Sequence, residues 1–384
     1  MSLDRIKNFI KQEIVLCAAV LLAIVSSFFQ RPTLASIDFG VLSVLLALML
    51  VVAGLKSIRF LDWAAVEFLN KCTSLRQVNS ALILITYISS MFVTNDVALI
   101  TFVPLTLVIR KRLQVDMVRT IVLQTMAANL GSMVTPPGNP QNLFLYSHFH
   151  YSALKFFMVM AGPTLLAALF LAVLCYRGRN KKLTLTLDPM EKPDQKLTYL
   201  YIGLLLLNIG AVLHFVDKYI ALAITVAILL FINRDLFKAV DYSLLVTFVG
   251  FFVFIGNISQ TAFVDYLRTN VLGSALGTYL AGLVLSQFIS NVPAAMLLAG
   301  LTDAADALLL GVNIGGLGTL IASMASVISY KIYTAEHPYQ AAVFLKTFTV
   351  LRIFYCFFSD SVSACYISLC INIYAKYFFI SASK

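Results

Sequence analysis

Apolar runs near or above the roughly 20 residues needed to cross a bilayer recur along the whole chain, and the polar breaks in them fall in matching places. In the first half Thr94-Asn95-Asp96 is followed by Asn129-Leu130-Gly131-x3-Thr135; in the second, Ser290-Asn291 is followed by Asn313-Ile314-Gly315-x3-Thr319. Backbone in hydrocarbon must satisfy its own hydrogen bonds, so non-helical breaks survive only where protein or a solute-bearing cavity replaces lipid. Paired breaks in two halves point to a transport site.

The pattern predicts spans at about 13–29 and 36–55, then Phe60-Leu61-Asp62-Trp63, whose mixed apolar and charged positions suit a helix lying along the interface. The run from 80 to 109 is broken near its middle at Thr94-Asn95-Asp96 and flanked by basic residues at both ends. A hairpin of two arms of about 13 residues, each about 20 Å long, keeps both basic flanks on one side. One kinked helix of about 30 residues is the alternative.

The segment from 117 to 147 is interrupted by Thr135-Pro136-Pro137-Gly138-Asn139-Pro140-Gln141-Asn142. Each proline removes a donor and clashes with the preceding turn, so this span is expected as two half-helices around an unwound loop. A span at 153–176 closes the first unit. An extra crossing at 198–215 inverts the second half. That half has spans at 219–233 and 243–258, the Phe263-Val264-Asp265-Tyr266 echo, a hairpin at 275–301 broken at Ser290-Asn291-Val292-Pro293, a broken span at 310–333 and a last crossing within 345–378. The expected architecture is all-α and polytopic, an inverted-topology repeat with two re-entrant hairpins and two broken helices. Residues 1–178 form the first repeat, 179–197 a cytoplasmic linker, and 198–384 the extra span and second repeat.

Composition agrees: of 384 residues 60% are hydrophobic and 12% charged, with mean hydropathy +0.90. The net charge of +10 does not imply a nucleic-acid partner. Its Lys and Arg cluster in short connections, as the positive-inside rule produces, and Arg5, Lys7 and Lys11 place the amino terminus in the cytoplasm of a prokaryotic plasma membrane. The first run, Glu13 to Phe29, has no small-residue cleavage site and reads as a retained helix. Cys17, Cys72, Cys175, Cys356, Cys365 and Cys370 are scattered and, like the four histidines, form no metal spacing, so packing roles and no cofactor are expected. No nucleophile-base set, P-loop or GxSxG supports an enzyme.

At the breaks, side-chain oxygens and freed carbonyls would surround a space suited to a hard cation, while half-helix amino termini would favour an anion. Thr94, Asn95, Asp96, Thr135, Gly138, Asn142 and Ser326 are the candidate ion-binding residues. Thr94, Asn95, Asn139, Ser290, Asn291, Thr319 and Ser323 are the candidate substrate contacts. A mid-membrane carboxylate costs about 2.5–3.5 kcal/mol on insertion scales, so Asp96 either binds a cation, carries a proton, or caps the second arm. His214 with Asp217 reads as an external turn, and Arg352 with Asp360 as groups that pair or snorkel at the ends of the last span.

On Thr94-Asn95-Asp96-Val97-Ala98, the 135–142 loop and Ser290-Asn291-Val292-Pro293, the chain resembles the ion transporter superfamily. That group includes divalent-anion/sodium symporters, citrate transporters, arsenite permeases and NhaD-type sodium/proton antiporters. The resemblance implies sodium ligation by Thr94, Asn95, Gly138 and Asn142, and elevator carriers that are often homodimers. Asp96 stands where the symporters have Thr, Val292 replaces the last Thr of the second tip, and the loop at Ala322-Ser323 lacks the Pro-Asn signature. These departures look more like the permease and antiporter branches.

The expected function is secondary active transport of a small anionic or oxyanion-like solute coupled to Na+ or H+, by alternating access. The alternative is a Na+/H+ antiporter with Asp96 as the exchanging carboxylate.

Overall fold

The computed structural model describes residues 13–353 apart from 179, 184–186 and 260. The basic amino-terminal positions Arg5, Lys7 and Lys11, the last crossing beyond 353, Asp360 and the three carboxy-terminal cysteines lie outside the described residues.

Helices α1 (Ile14–Phe29) and α2 (Phe39–Ser57) open the chain at the first two expected spans. Asp38 starts α2 by accepting from the Gly40 and Val41 amides at 2.9 and 3.0 Å, which fills two of the donors a helix start leaves open. Arg59, in the left-handed region at φ 53°, turns the chain into the short helix α3 (Phe60–Leu69), as the Trp63 pattern predicts.

The first hairpin consists of α4 (Leu75–Val93) and α5 (Asn95–Leu113). Its arms are 19 residues each, so both extend beyond the ends of the apolar run at 80–109 and exceed the expected arm length. The added turns are polar: Ser74 caps the base of α4, while Arg110, Lys111 and Arg112 end α5. Apolarity stops before helicity does. Val78, Ala81 and Leu82 share one cluster with Leu105, Ile109 and Leu113, at similar distances on either side of Thr94, so the arms run side by side. The kinked-helix alternative would separate them.

After the hairpin come α6 (Val118–Ser132), a 3-10 turn at Pro136–Gly138 and α7 (Pro140–His148), the expected broken helix. Helix α8 (Ala153–Tyr176) comes next. Its polar tail packs over the hairpin base: the Leu75 amide donates to the Lys181 carbonyl at 2.8 Å, and Arg76 Nε to the Gly178 carbonyl at 3.1 Å.

The second half supplies α9 (Gln195–Val212), α10 (Lys218–Ile232), α11 (Tyr242–Ile258) and the short α12 (Ala262–Asn270). The second hairpin is α13 (Ala275–Ile289) with α14 (Asn291–Ala299). Thr278 and Thr302 hydroxyls meet at 3.0 Å, each 12 residues from Ser290, which closes its base. A second broken helix, α15 (Ala305–Gly315) and α16 (Met324–Glu336), surrounds a 3-10 turn at Leu320–Ala322. Helix resumes over 341–353.

The halves pack in exchange: α1 lies along α11, and α2 along α10 and α9. The hairpins enter from opposite ends of the bundle. The base of the first lies among Lys181, Lys182 and Gly178, at the end rich in basic residues. The mouth of the second lies at the other end, where His148 Nε2 is 3.2 Å from the Ala299 carbonyl and Tyr151 donates to Asp306 at 2.7 Å. Among the described residues, α2, α8 and α9 are each long and apolar enough to cross a membrane.

Candidate functional site

Both hairpin tips have the same backbone. Thr94 takes φ 71° and ψ 154°, and Ser290 takes φ 73° and ψ 156°, a region non-glycine residues avoid. Neither side chain caps the next helix. The tips are held open by the facing loops in matching fashion: Thr135 Oγ1 donates to the Met91 carbonyl at 2.5 Å, and Thr319 Oγ1 to the Gln287 carbonyl at 3.1 Å. Met91 and Gln287 each stand three residues before their tip.

At the centre the two broken helices reach across to each other. Ser323 Oγ donates to Asn129 Oδ1 at 2.8 Å, and Asn129 Nδ2 donates to Ser326 Oγ at 3.1 Å. Reciprocally, Asn313 Nδ2 donates to Asn142 Oδ1 at 2.7 Å, and Asn139 Nδ2 approaches Asn313 Oδ1 at 3.5 Å. Ser323 and Ser326 follow Asn313 at the same ten- and thirteen-residue spacings at which Asn139 and Asn142 follow Asn129. Asn95 joins the first of these sets, donating from Nδ2 to Asn129 Oδ1 at 3.1 Å. Asn291 instead lies against Gly316, where a Cβ would come within 2.5 Å of its Nδ2.

Asn142 also stitches its own loop. Its Nδ2 lies 3.3–3.4 Å from the carbonyls of Ser132, Met133 and Thr135, while its amide donates to the Asn139 side chain at 2.8 Å. Gly138 is buried where a Cβ would sit 2.2 Å from the Ser132 carbonyl, so the loop needs glycine there.

A cavity of about 650 Å³ opens beside the first tip. Thr94, Asp96 and Asn139 line one wall, and Lys56, Asn233, Asp235 and Asp241 line the wall built by α2 and the α10–α11 connection. Asp96 Oδ1 is buried without a hydrogen-bond partner. Asp241 caps α11 through the Leu244 amide at 3.0 Å, and Asp235 pairs with Lys238 at 2.7 Å. Ser290, Asn291 and Ser323 are buried and do not line this cavity.

The tips and loops stand out in the sequence. Asn129 and Asn313 lie outside the candidate set, although the repeated N-x-G-x3-T marks both. Lys56 and Asp241 carried no such signal.

Helical hairpins at opposite ends, two broken helices meeting at a polar centre and a cavity at one tip define a membrane transporter. The profile of the CitMHS family, described as citrate transporter, matches residues 10–329, and the chain belongs to this family. The Escherichia coli inner membrane protein YbiR is 30% identical over 303 residues, covering 78% of this chain and 81% of YbiR. The uncharacterized transporter MJ0456 of Methanocaldococcus jannaschii is 34% identical over 289 residues, covering 74% and 78%. The crystal structure of the Alcanivorax borkumensis YdaH transporter shares the fold, with TM-score 0.55 at 14% identity, over 87% of this chain and 86% of that one.

Proposed function

We propose that the protein is a secondary active transporter in which Asp96 carries the coupling cation, H+ or Na+, while a small anionic solute occupies the cavity beside the first tip. The observation that carries this reading is the buried Asp96 oxygen with no partner, on the wall of that cavity. An uncompensated carboxylate in an apolar bundle is costly unless a cation or proton completes it. Thr94 and Asn139 supply further oxygens on the same wall, and Lys56 supplies a positive group opposite. The citrate-transporter description of the family favours a carboxylate as solute. With the basic end in the cytoplasm, as the positive-inside rule has it, the cavity faces inward.

A second reading, cation/proton exchange without an organic solute, draws on Asp96 and Asp241 facing one cavity, with Lys56 its one lining basic group among the described residues. Flux in proteoliposomes under imposed sodium, proton and voltage gradients, with and without citrate, separates the two. The first requires anion-dependent movement of the coupling ion; sodium/proton exchange proceeding at full rate without any anion would sink it. Asp96→Asn is expected to remove the response of flux to pH. An unchanged pH response would return Asp96 to a structural role.

A further inference from the structure

A second pocket, of about 280 Å³, lies at the end of the bundle opposite the base of the first hairpin. Its wall is formed by the start of α2, the last turn of α7 and the 213–218 turn between α9 and α10. Leu143 lines both this pocket and the central cavity. Val41 and Val44 of α2 face the pocket, and Leu45 and Leu48 face the cavity. One aliphatic layer therefore separates the two spaces.

The polar groups around the pocket are arranged unevenly. Asp217 accepts from the Tyr219 and Ile220 amides at 2.9 and 3.1 Å, so its charge is taken up by the start of α10. Asp38 is similarly occupied by the Gly40 and Val41 amides and by Ser147 Oγ at 3.4 Å. Lys218 Nζ stands 3.9 Å from Asp38, beyond hydrogen-bond range. It lies over Gly40, where a Cβ would come within 1.7 Å of it, so the absence of a side chain there lets the ammonium reach the pocket.

Tyr146 provides a separate observation. It is 1% exposed, lines the pocket, and its hydroxyl is buried without a partner. Its ring stacks on His214 at 5.3 Å. Burial, and then the Lys218 charge, hold the His214 imidazole below its usual range. An orphaned hydroxyl, a loosely paired ammonium and carboxylates already committed to helix starts suit a ligand rich in acceptors and bearing negative charge.

We propose that this pocket binds small oxyanions, carboxylates among them, through Lys218 and Tyr146, on the far side of the Leu143 layer from the central cavity. Its role as the outer vestibule of the transport path rests on the preceding functional reading; its binding of anions does not. The test reads binding without transport. In the full-length protein with its native cysteines replaced, Phe215→Cys puts a thiol at an exposed pocket position. Its modification rates by anionic and cationic methanethiosulfonate reagents are compared after normalisation to a free thiol. The anionic reagent is expected to be favoured roughly tenfold, as focused surface potentials produce. Potassium citrate should slow labelling more than potassium chloride at matched ionic strength.

Lys218→Gln is expected to abolish the reagent preference, and Gly40→Ala to reduce it while keeping the charge and displacing the ammonium. Tyr146→Phe should keep the preference and weaken citrate protection. Preference for the cationic reagent, preference that survives Lys218→Gln, or no protection by citrate would each overturn the proposal. A protein that shows anion preference here but no coupled flux in liposomes keeps this site and loses the transport reading.

Discussion

Asn129 uses the whole capacity of its carboxamide. It donates to Ser326 Oγ and the Thr125 carbonyl, both at 3.1 Å, and accepts from Asn95 and Ser323. All of this is buried, where an unsatisfied polar group costs about 1–3 kcal/mol. Asn129→Ala would strand groups on the first tip and on the second loop together. It is therefore expected to lower the thermal midpoint in detergent by several degrees and to loosen the first tip. Asn313→Ala should act likewise through Asn139 and Asn142. Midpoints unchanged in both would show that the crossed bonds contribute nothing net. The recurrence of Asn-x-Gly made both positions legible in sequence. Their partners were not, because spacing along a chain reports neighbours on one element, whereas Asn129 bonds to residues almost 200 positions away.

Among the elements, the hairpins depend on how closely each approaches its broken helix. A Cβ on Gly131 would meet the Tyr87 carbonyl at 2.2 Å, and one on Gly315 would meet Leu283 backbone at 3.0 Å. Tyr87 and Leu283 each stand seven residues before their tip, so the two contacts are counterparts. Backbone cannot swing aside as a side-chain end can. Gly131→Ala is accordingly expected to destabilise the protein by more than Gly315→Ala, and to reduce the folded yield recovered in detergent. Gly203→Ala, with nothing within 4 Å, should be neutral or slightly stabilising within α9. Comparing folded yield and thermal midpoint across the three checks the ranking. The broken helices were readable because three prolines cannot sit inside one helix. The arm lengths were not, because the basal turns of the first hairpin are polar and are held by contacts with Lys181, Leu183 and Leu187.

Across the whole molecule, the two copies differ in what they expose. The first tip faces a cavity with Asp96, while Ser290, Asn291 and Ser323 of the second half are buried. The cavity's other wall, with Lys56 and Asp241, was illegible because those residues flank apolar runs and read only as orientation signals or helix ends. Orientation itself can be tested. Lys71, just before the base of the first hairpin, and Asp303, just after the mouth of the second, are both exposed and lie at opposite ends of the bundle. In cells carrying a cysteine-replaced variant, a thiol introduced by Asp303→Cys is expected to react with a membrane-impermeant maleimide added outside. One introduced by Lys71→Cys should react only after permeabilisation, because its basic surroundings favour the cytoplasmic side. Labelling of both thiols from the same side would place both hairpin mouths on one face, which the inverted arrangement forbids. Labelling of Lys71→Cys alone from outside would keep the inversion but reverse the molecule, and the central cavity would then open outward.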